Sequence, residues 1–288
     1  MRNECLRLAI ALVAMVAVGC EKPVFPEEEQ EETSGEVTKG NLRVSVLRVE
    51  QMPFEGLSQG EGASFSRLNC AVYRSSGTRV KQVNQKEGEA HFGTCYFQLD
   101  EGVYQLVVVG HRSQGNPTMT DLSSIRFTNK QGFTDTFCYW GTMAIGAADT
   151  VMEVSLSRVV ALCRLVITDD FPAEVATLHC YYTGGSGAFD AKTGLGSVQS
   201  RQEVVFDVTG AQHQFDLYTF LHSMASDIHL VVTAQDANGQ ALYQRTFDVP
   251  MRRNQVTRLS GAFFSASEGS DVQVMVNGKW DGVMEVGF

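Results

Sequence analysis

The sequence is short of basic residues, long apolar runs and helical patterns. Its 288 residues include 23 Lys and Arg against 33 Asp and Glu, a formal charge of −10. A protein that follows nucleic-acid phosphates needs the opposite sign on its contact face, so we expect no nucleic-acid partner. Hydrophobic residues make up 43% of the chain and charged residues 19%. This balance excludes a disordered chain and supplies enough apolar surface for a folded core.

No motif of an enzyme or of a metal site is complete. The six histidines include no pair at positions i and i+4 and no HExxH motif, so a zinc enzyme lacks its ligands. Residues 184–188 read GGSGA and miss the final glycine of a nucleophile elbow. Residues 191–193 read AKT without the glycines of a phosphate-binding loop. We therefore expect no catalytic residue, no metal, no cofactor and no enzymatic activity.

Residues 1–19 have the features of a secretory signal peptide. Arg2 and Arg7 lie at the start, and residues 8–18 are eleven consecutive apolar residues. A run of this length suits the hydrophobic part of a signal and is too short for a bilayer, which needs about 20 residues. No later apolar run reaches the roughly 18 residues of a membrane-spanning helix.

The end of this segment resembles the lipobox of bacterial lipoproteins. Residues 17–20 read Ala-Val-Gly-Cys, with Ala where Leu is the usual residue. The resemblance implies cleavage before Cys20 and acylation of Cys20 as the new N-terminus. Each buried CH₂ group contributes about 0.8 kcal/mol, so several acyl chains hold a protein on a membrane. The alternative is an ordinary secretory signal that happens to end at a cysteine.

Residues 20–40 are predicted to be a lipidated cysteine followed by an acidic linker. Residues 21–40 contain seven Glu and two Lys and very few apolar residues. Like charges repel and extend such a segment. We interpret it as a tether that keeps a folded body clear of the lipid headgroups.

From residue 41 onward, apolar and polar residues alternate with the period of a half-buried strand. Leu42, Val44 and Val46, for example, are separated by Arg43 and Ser45. Asn-Gly pairs and Ser/Gly clusters between such stretches are turn signals. No window of a dozen residues carries a helical apolar stripe, and only residues 221–228 fit a single helical turn. Further strands are predicted at 68–74, 91–99, 103–111, 150–156, 159–168, 177–183, 203–208, 214–221, 228–234, 241–249, 256–264 and 272–276.

Many short strands separated by turns are typical of β-sandwiches. Two sandwiches of about 100–130 residues fit the length better than one. Residues 154–165 contain no turn signal but are too long for one strand of a single sandwich. We therefore predict an all-β fold with an N-terminal sandwich over residues 41–157 and a C-terminal sandwich over residues 158–288.

Three segments together resemble the FimB-type anchor subunits and fimbrillin-like lipoproteins of type V fimbriae. They are residues 156–175 (LSRVVA to FPAEV), 137–141 (FCYWG) and 247–261 (FDVPMRRNQVTRLSG). The resemblance implies two tandem transthyretin-like β-sandwich domains and export to the cell outer membrane by lipidation. It also implies that the protein attaches a fimbria to the cell surface, with fimbrial shaft subunits as partners. In related shaft and tip subunits, a protease removes an N-terminal strand after an arginine, and another subunit's C-terminal strand fills the groove.

The resemblance makes two segments candidates for assembly. Cleavage after Arg43 or Arg48 would separate the lipid from the folded body, so an anchor is expected to keep its first strand. It would then join the shaft by donating a strand, and the candidate donor is the alternating apolar segment of Val272, Val274 and Val276. The same segment is suited to closing the second sandwich, and both interpretations stay open.

Two other functions compete with the anchor. A shaft or tip subunit of the same fold would be cut near Arg43 or Arg48 and would lose its lipid. A glycan- or ligand-binding surface lipoprotein would need Trp140 and Trp280 to form an exposed platform.

Five cysteines beyond Cys20 are an odd number in a compartment that permits disulfides. Cys163 and Cys180 lie symmetrically about the predicted turn at residues 171–172 and would face each other in a simple hairpin. If their strands belong to different sheets, no bond need form. We favour buried thiols for all of the remaining five, which are Cys70, Cys95, Cys138, Cys163 and Cys180.

Overall fold

The computed structural model describes residues 39–49, 65–128, 132–208, 212–265, 274–276 and 283–287. These residues form strands and no α-helix, which confirms the all-β prediction. They therefore include no helix that could cross a membrane. The strands are β1 (Leu42–Val49), β2 (Arg67–Arg74), β3 (Arg79–Lys86), β4 (Thr94–Phe97), β5 (Gly102–His111), β6 (Ile125–Arg126), β7 (Thr136–Ile145), β8 (Thr150–Arg158), β9 (Ala161–Ile167), β10 (Thr177–Thr183), β11 (Gly185–Ser186), β12 (Ala188–Phe189), β13 (Gln202–Asp207), β14 (Gln214–Leu221), β15 (Ala225–Gln235), β16 (Ala241–Arg252), β17 (Val256–Gly261), β18 (Val274–Val276) and β19 (Val283–Gly287).

The first half of the chain forms a seven-stranded sheet with the order β3-β2-β5-β7-β8-β1-β4, which folds into two layers. Strands β7 and β8 pair only at Phe137↔Arg158 and Cys138↔Ser157, which makes the corner between the layers. Apolar side chains of both layers, such as Val44 on β1 and Leu106 on β5, share one buried cluster. These strands therefore enclose the core of a β-sandwich.

The second half of the chain forms a four-stranded sheet, β13-β10-β15-β16, and a six-stranded sheet, β11-β14-β9-β17-β19-β18. Leu178 on β10 and Leu165 on β9 belong to one buried cluster between these sheets. Seven of these strands repeat the pairing of the first half in the same chain order: β9, β10, β13, β14, β15, β16 and β17 correspond to β1, β2, β3, β4, β5, β7 and β8.

The correspondence includes strand direction. The first strand of each set lies between an antiparallel fourth strand and a parallel seventh strand: β1 between β4 and β8, and β9 between β14 and β17. The chain thus contains an internal structural repeat, to which the hairpin of β18 and β19 is an addition. The described residues from 39 onward fall within one compact unit, and the two-domain boundary near residue 157 stays a prediction.

A third hydrophobic cluster joins the two repeats. It contains Tyr73 on β2 and Val109 on β5, from the outer face of the layer formed by β3, β2, β5 and β7. It also contains Phe189 and Phe220 from the second half of the chain. The rings of Phe189 and Phe220 stack with their centroids 4.9 Å apart. Strand β6 of the first half also pairs with β12 of the second. The repeats are therefore joined by a packed apolar interface.

A buried ion pair lies at the same junction. Arg158, at the end of β8, donates from Nε to Asp135 Oδ1 at 2.6 Å and from Nη2 to Asp135 Oδ2 at 2.7 Å. Its Nη1 donates to Asn254 Oδ1 at 3.0 Å, in the turn between β16 and β17. The side chains of Arg158 and Asp135 are only 2% and 10% exposed. One guanidinium thus connects the first repeat to a turn of the second.

A polar network is buried beside this interface. His111 accepts a hydrogen bond at Nδ1 from the Ser113 backbone N–H at 3.1 Å, so its Nε2–H donates to Asn69 Oδ1 at 2.7 Å. Asn69 Nδ2 donates to the side-chain oxygens of Asn84 and Asn116. Both His111 and Asn69 are fully buried. Each polar atom named here has a partner, as burial requires.

Several predicted strands agree closely with the structure. The predictions at 177–183 and 214–221 match β10 and β14 residue for residue. The single helical turn at 221–228 is wrong, because β14 ends at Leu221 and β15 begins at Ala225. Strands β3 and β7 are not among the predicted strands. Strand β3 is largely polar because it lies at a sheet margin.

The five cysteines are buried free thiols, as expected. Cys163 lies on β9 of the six-stranded sheet and Cys180 on β10 of the four-stranded sheet. They therefore do not face each other across a hairpin. Burial raises the pKa of Cys180 to about 12, which disfavours its reactive thiolate.

Candidate assembly interface

Strand β1, which follows the predicted tether, is built into the middle of its layer. It pairs with β4 on one side and with β8 on the other. Leu42 and Val44 are 0% and 1% exposed and belong to the core of the first repeat. Strand β1 therefore occupies the groove between β4 and β8 that its removal would open.

The two arginines considered as cleavage sites both lie within β1. Arg43 pairs with Tyr96 on β4 and with Val151 on β8. Arg48 pairs with Ser155, next to an irregularity in the β1–β8 register. A protease needs access to extended backbone, which here is engaged by neighbouring strands. Cleavage after Arg43 therefore requires β1 to open first.

The candidate donor segment lies at the margin of the six-stranded sheet. Val274 and Val276 form the ends of β18, which pairs antiparallel with β19. Strand β19 in turn pairs parallel with β17, from Val256↔Val283 to Ser260↔Gly287. Val272 and Cys20 lie outside the described residues. The placement of β18 at the margin is compatible with both the donor and the closing-strand interpretations.

The chain is fixed just before this C-terminal hairpin by Asp169, from the loop between β9 and β10. Its carboxylate accepts hydrogen bonds from the backbone N–H groups of Phe263, Phe264 and Ser265 at 2.7, 2.8 and 2.8 Å. The Ser265 hydroxyl donates a fourth bond at 3.0 Å. Burial tends to raise the pKa of Asp169, but these hydrogen bonds outweigh it and lower the pKa below its usual value.

Asp169→Ala is expected to lower the free energy of unfolding by about 1–2 kcal/mol, because a partly exposed carboxylate with several donors is lost. Since the fold lowers the pKa of Asp169, its contribution is present above the unfolded pKa near 4 and is lost as the pH falls through the folded value. Urea unfolding at pH 7 and pH 3 measures both effects. Asp170→Ala, at the exposed neighbouring position, is the matched control. Equal losses in the two variants would contradict the role of Asp169.

The tryptophan platform of a glycan-binding protein is only partly described. Trp140 on β7 is half-buried against the cluster that joins the repeats. Its indole N–H donates to Gln105 at 3.3 Å, and Lys192 Nζ lies 5.5 Å from its ring centroid. Trp280 lies outside the described residues. Trp140 is thus already engaged by neighbouring side chains.

Sequence reasoning missed the polar pairs of the site and its surroundings. His179 on β10 has its Nε2 2.8 Å from Glu203 Oε1 on β13. Asp169 binds residues 94 to 96 positions away, and the ion pair of Arg158 reaches back to Asp135. A sequence contains no signal for such long-range polar contacts, because spacing along the chain does not encode them.

These features define a class of protein. It is an all-β protein in which a seven-stranded arrangement is repeated, the first strand is paired on both sides, and a hairpin extends the sheet beside β17. The chain belongs to a family of unknown function, DUF6562, whose profile matches residues 36–285. No curated protein sequence matches the chain significantly.

Solved structures with a similar arrangement include fimbria-associated proteins and candidate adhesins. A candidate adhesin from Bacteroides ovatus has a TM-score of 0.49 and 13% identity, over 72% of this chain and 81% of that one. The fimbrial anchor protein Mfa2 from Porphyromonas gingivalis has values of 0.41 and 11%, over 71% and 80%. A fimbrial assembly protein from Parabacteroides distasonis has 0.43 and 12%, over 81% and 94%. At these values the similarity assigns no function to this chain.

Proposed function

We propose that this protein is an outer-membrane lipoprotein that anchors a type V fimbria to the cell surface and has no enzymatic activity. The observation that carries the proposal is the position of β1. The strand that follows the tether of residues 20–40 is paired on both sides and buried in the core. Acyl chains on Cys20 would thus be joined covalently to a folded body.

Strand β1 is attached to the body through both its core side chains and its two edges. Burial of Leu42 and Val44 contributes about 1.5–3 kcal/mol for each side chain. Both edges of β1 form ladders, with four register pairs to β4 and seven to β8. Release of the tether from the body therefore requires the first repeat to lose both a core strand and its sheet continuity.

The opposite end of the chain offers a way to bind shaft subunits. Strand β18 pairs only with β19 among the described strands, so its other edge presents backbone groups to a partner. An added strand would satisfy these groups, as in other strand-addition complexes. In this proposal, the segment of Val272, Val274 and Val276 contacts the shaft, either by pairing in place or by moving into the partner.

The test is Cys20→Ser in the full chain, with Cys5→Ser as a control that alters another cysteine of the signal segment. Cys20→Ser is expected to move the protein from the outer membrane to the medium and to release long fimbriae with it. Cys5→Ser is expected to leave both unchanged. Membrane fractionation and electron microscopy of the cells measure these outcomes.

The mature N-terminus separates the anchor from a shaft or tip subunit. Intact mass of protein extracted from assembled fimbriae is expected to show acylated Cys20 as the first residue. A chain that starts at residue 44 or 49 would overturn the anchor proposal and favour the shaft or tip subunit.

A further inference from the structure

The internal repeat reveals a difference between two equivalent strands. In the second repeat, the seventh strand β17 lies between β9 and β19, and it is parallel to both. In the first repeat, the seventh strand β8 lies beside β1 and meets β7 only at its last two residues, Ser157 and Arg158. The position that β19 occupies beside β17 therefore has no strand in the first repeat, among the described residues.

The edge of β8 has few of the features that block strand addition. Natural sheet margins are usually protected by prolines or by lysines and other charged residues. The marginal strand β3 carries Arg79, Lys81 and Lys86, and the marginal strand β16 contains Pro250. Residues 150–154 of β8 read TVMEV, with a single charge. Val151 in this stretch leaves 59% of its surface exposed.

We propose that the edge of β8 at residues 150–154 binds an extended segment of a partner protein as a parallel strand, in the position that β19 takes beside β17. The occupant is an extended, mostly apolar segment of about five residues, because β19 itself has the sequence VMEVG. Backbone hydrogen bonds hold the added strand, and the exposed Val151 offers it an apolar contact. Strand β1 stays in place, so this site is distinct from a groove opened by removing β1.

A peptide with the sequence of residues 282–288 is the probe, because it contains a strand of the required kind. It is added to the full chain carrying Cys20→Ser, in which the chain's own β19 already occupies the edge of β17. Hydrogen–deuterium exchange followed by mass spectrometry is expected to show slower exchange at residues 150–154, with exchange in β17 unchanged. A peptide of the same composition in scrambled order is the sequence control.

Val151→Lys is expected to weaken peptide binding by about tenfold or more, because an edge lysine opposes strand addition. Val205→Lys is the matched control, since Val205 is 55% exposed on β13 of the second repeat. Both positions are exposed, so thermal unfolding is expected to be unchanged. Failure of the peptide to bind at millimolar concentration, or protection of β17 instead of β8, would overturn the inference. Membrane retention through Cys20 is measured separately and does not depend on this outcome.

Discussion

Asp135→Ala is expected to lower the free energy of unfolding by about 3–5 kcal/mol, because it leaves the buried guanidinium of Arg158 without its carboxylate. The pair is bidentate, and Arg158 is 2% exposed. Because the guanidinium is buried, most of its desolvation cost remains when the carboxylate is lost. Guanidinium chloride unfolding, followed by circular dichroism, measures the loss.

The second repeat contains a natural control for this effect. Arg164 and Asp216 form a pair with the same bidentate geometry, at 2.8 and 2.9 Å, but their side chains are 7% and 23% exposed. Asp216→Ala is expected to cost less than Asp135→Ala, because water reaches that pair more easily. The double variant Asp135→Leu with Arg158→Met should recover much of the loss, since no charge is then buried. Similar costs for Asp135→Ala and Asp216→Ala would contradict the importance of burial.

His111 is expected to make the protein lose stability on mild acidification. Burial, assisted by the nearby charge of Arg67, lowers the pKa of His111 to about 3, whereas an unfolded histidine titrates near 6.5. Between these two pH values, His111 binds a proton in the unfolded chain but not in the folded chain. The free energy of unfolding therefore falls as the pH drops below about 6.5, by about 1.4 kcal/mol per pH unit.

Integrated from pH 7 to pH 4, this contribution amounts to about 3 kcal/mol. His111→Gln removes the titrating ring, so its stability should vary less with pH over that range even if it is lower at pH 7. Urea unfolding of both proteins at half-unit pH intervals gives the difference curve. Parallel curves for the two proteins would show that the burial of His111 has no energetic consequence.

The parts of the fold that the sequence predicts well are those with one buried face. In β1 the alternation of Leu42 and Val44 with polar residues becomes a strand whose apolar side chains lie in the core. Strand β7 has no such alternation, because both of its faces touch apolar clusters. Phe137 lies in the core of the first repeat and Cys138 in the cluster between the repeats. A period-two pattern cannot reveal a strand of this kind.

The candidate interface is predicted only in outline. The placement of β1 and the position of β18 at a sheet margin were not readable from the residues, because both depend on pairing between distant segments. The sequence predicts two tandem sandwiches but not their strand-by-strand correspondence, since this lies in strand order and direction and not in matching residues. The hydrogen bonds of Asp169 to residues 263–265 also join distant segments, so the sequence does not predict them.

The parallel pairing of β1 and β8 determines how the first repeat responds to pulling. Leu42 lies beside Thr150 and Val49 beside Leu156, so the two strands start at the same end. A force that enters at the start of β1 and leaves at the end of β8 acts along the strands and shears their ladder. The hydrogen bonds are then loaded together and cannot be opened one at a time. Strands β9 and β17 have the same parallel geometry in the second repeat. Tension along the chain therefore loads two parallel strand pairs in shear, one after the other.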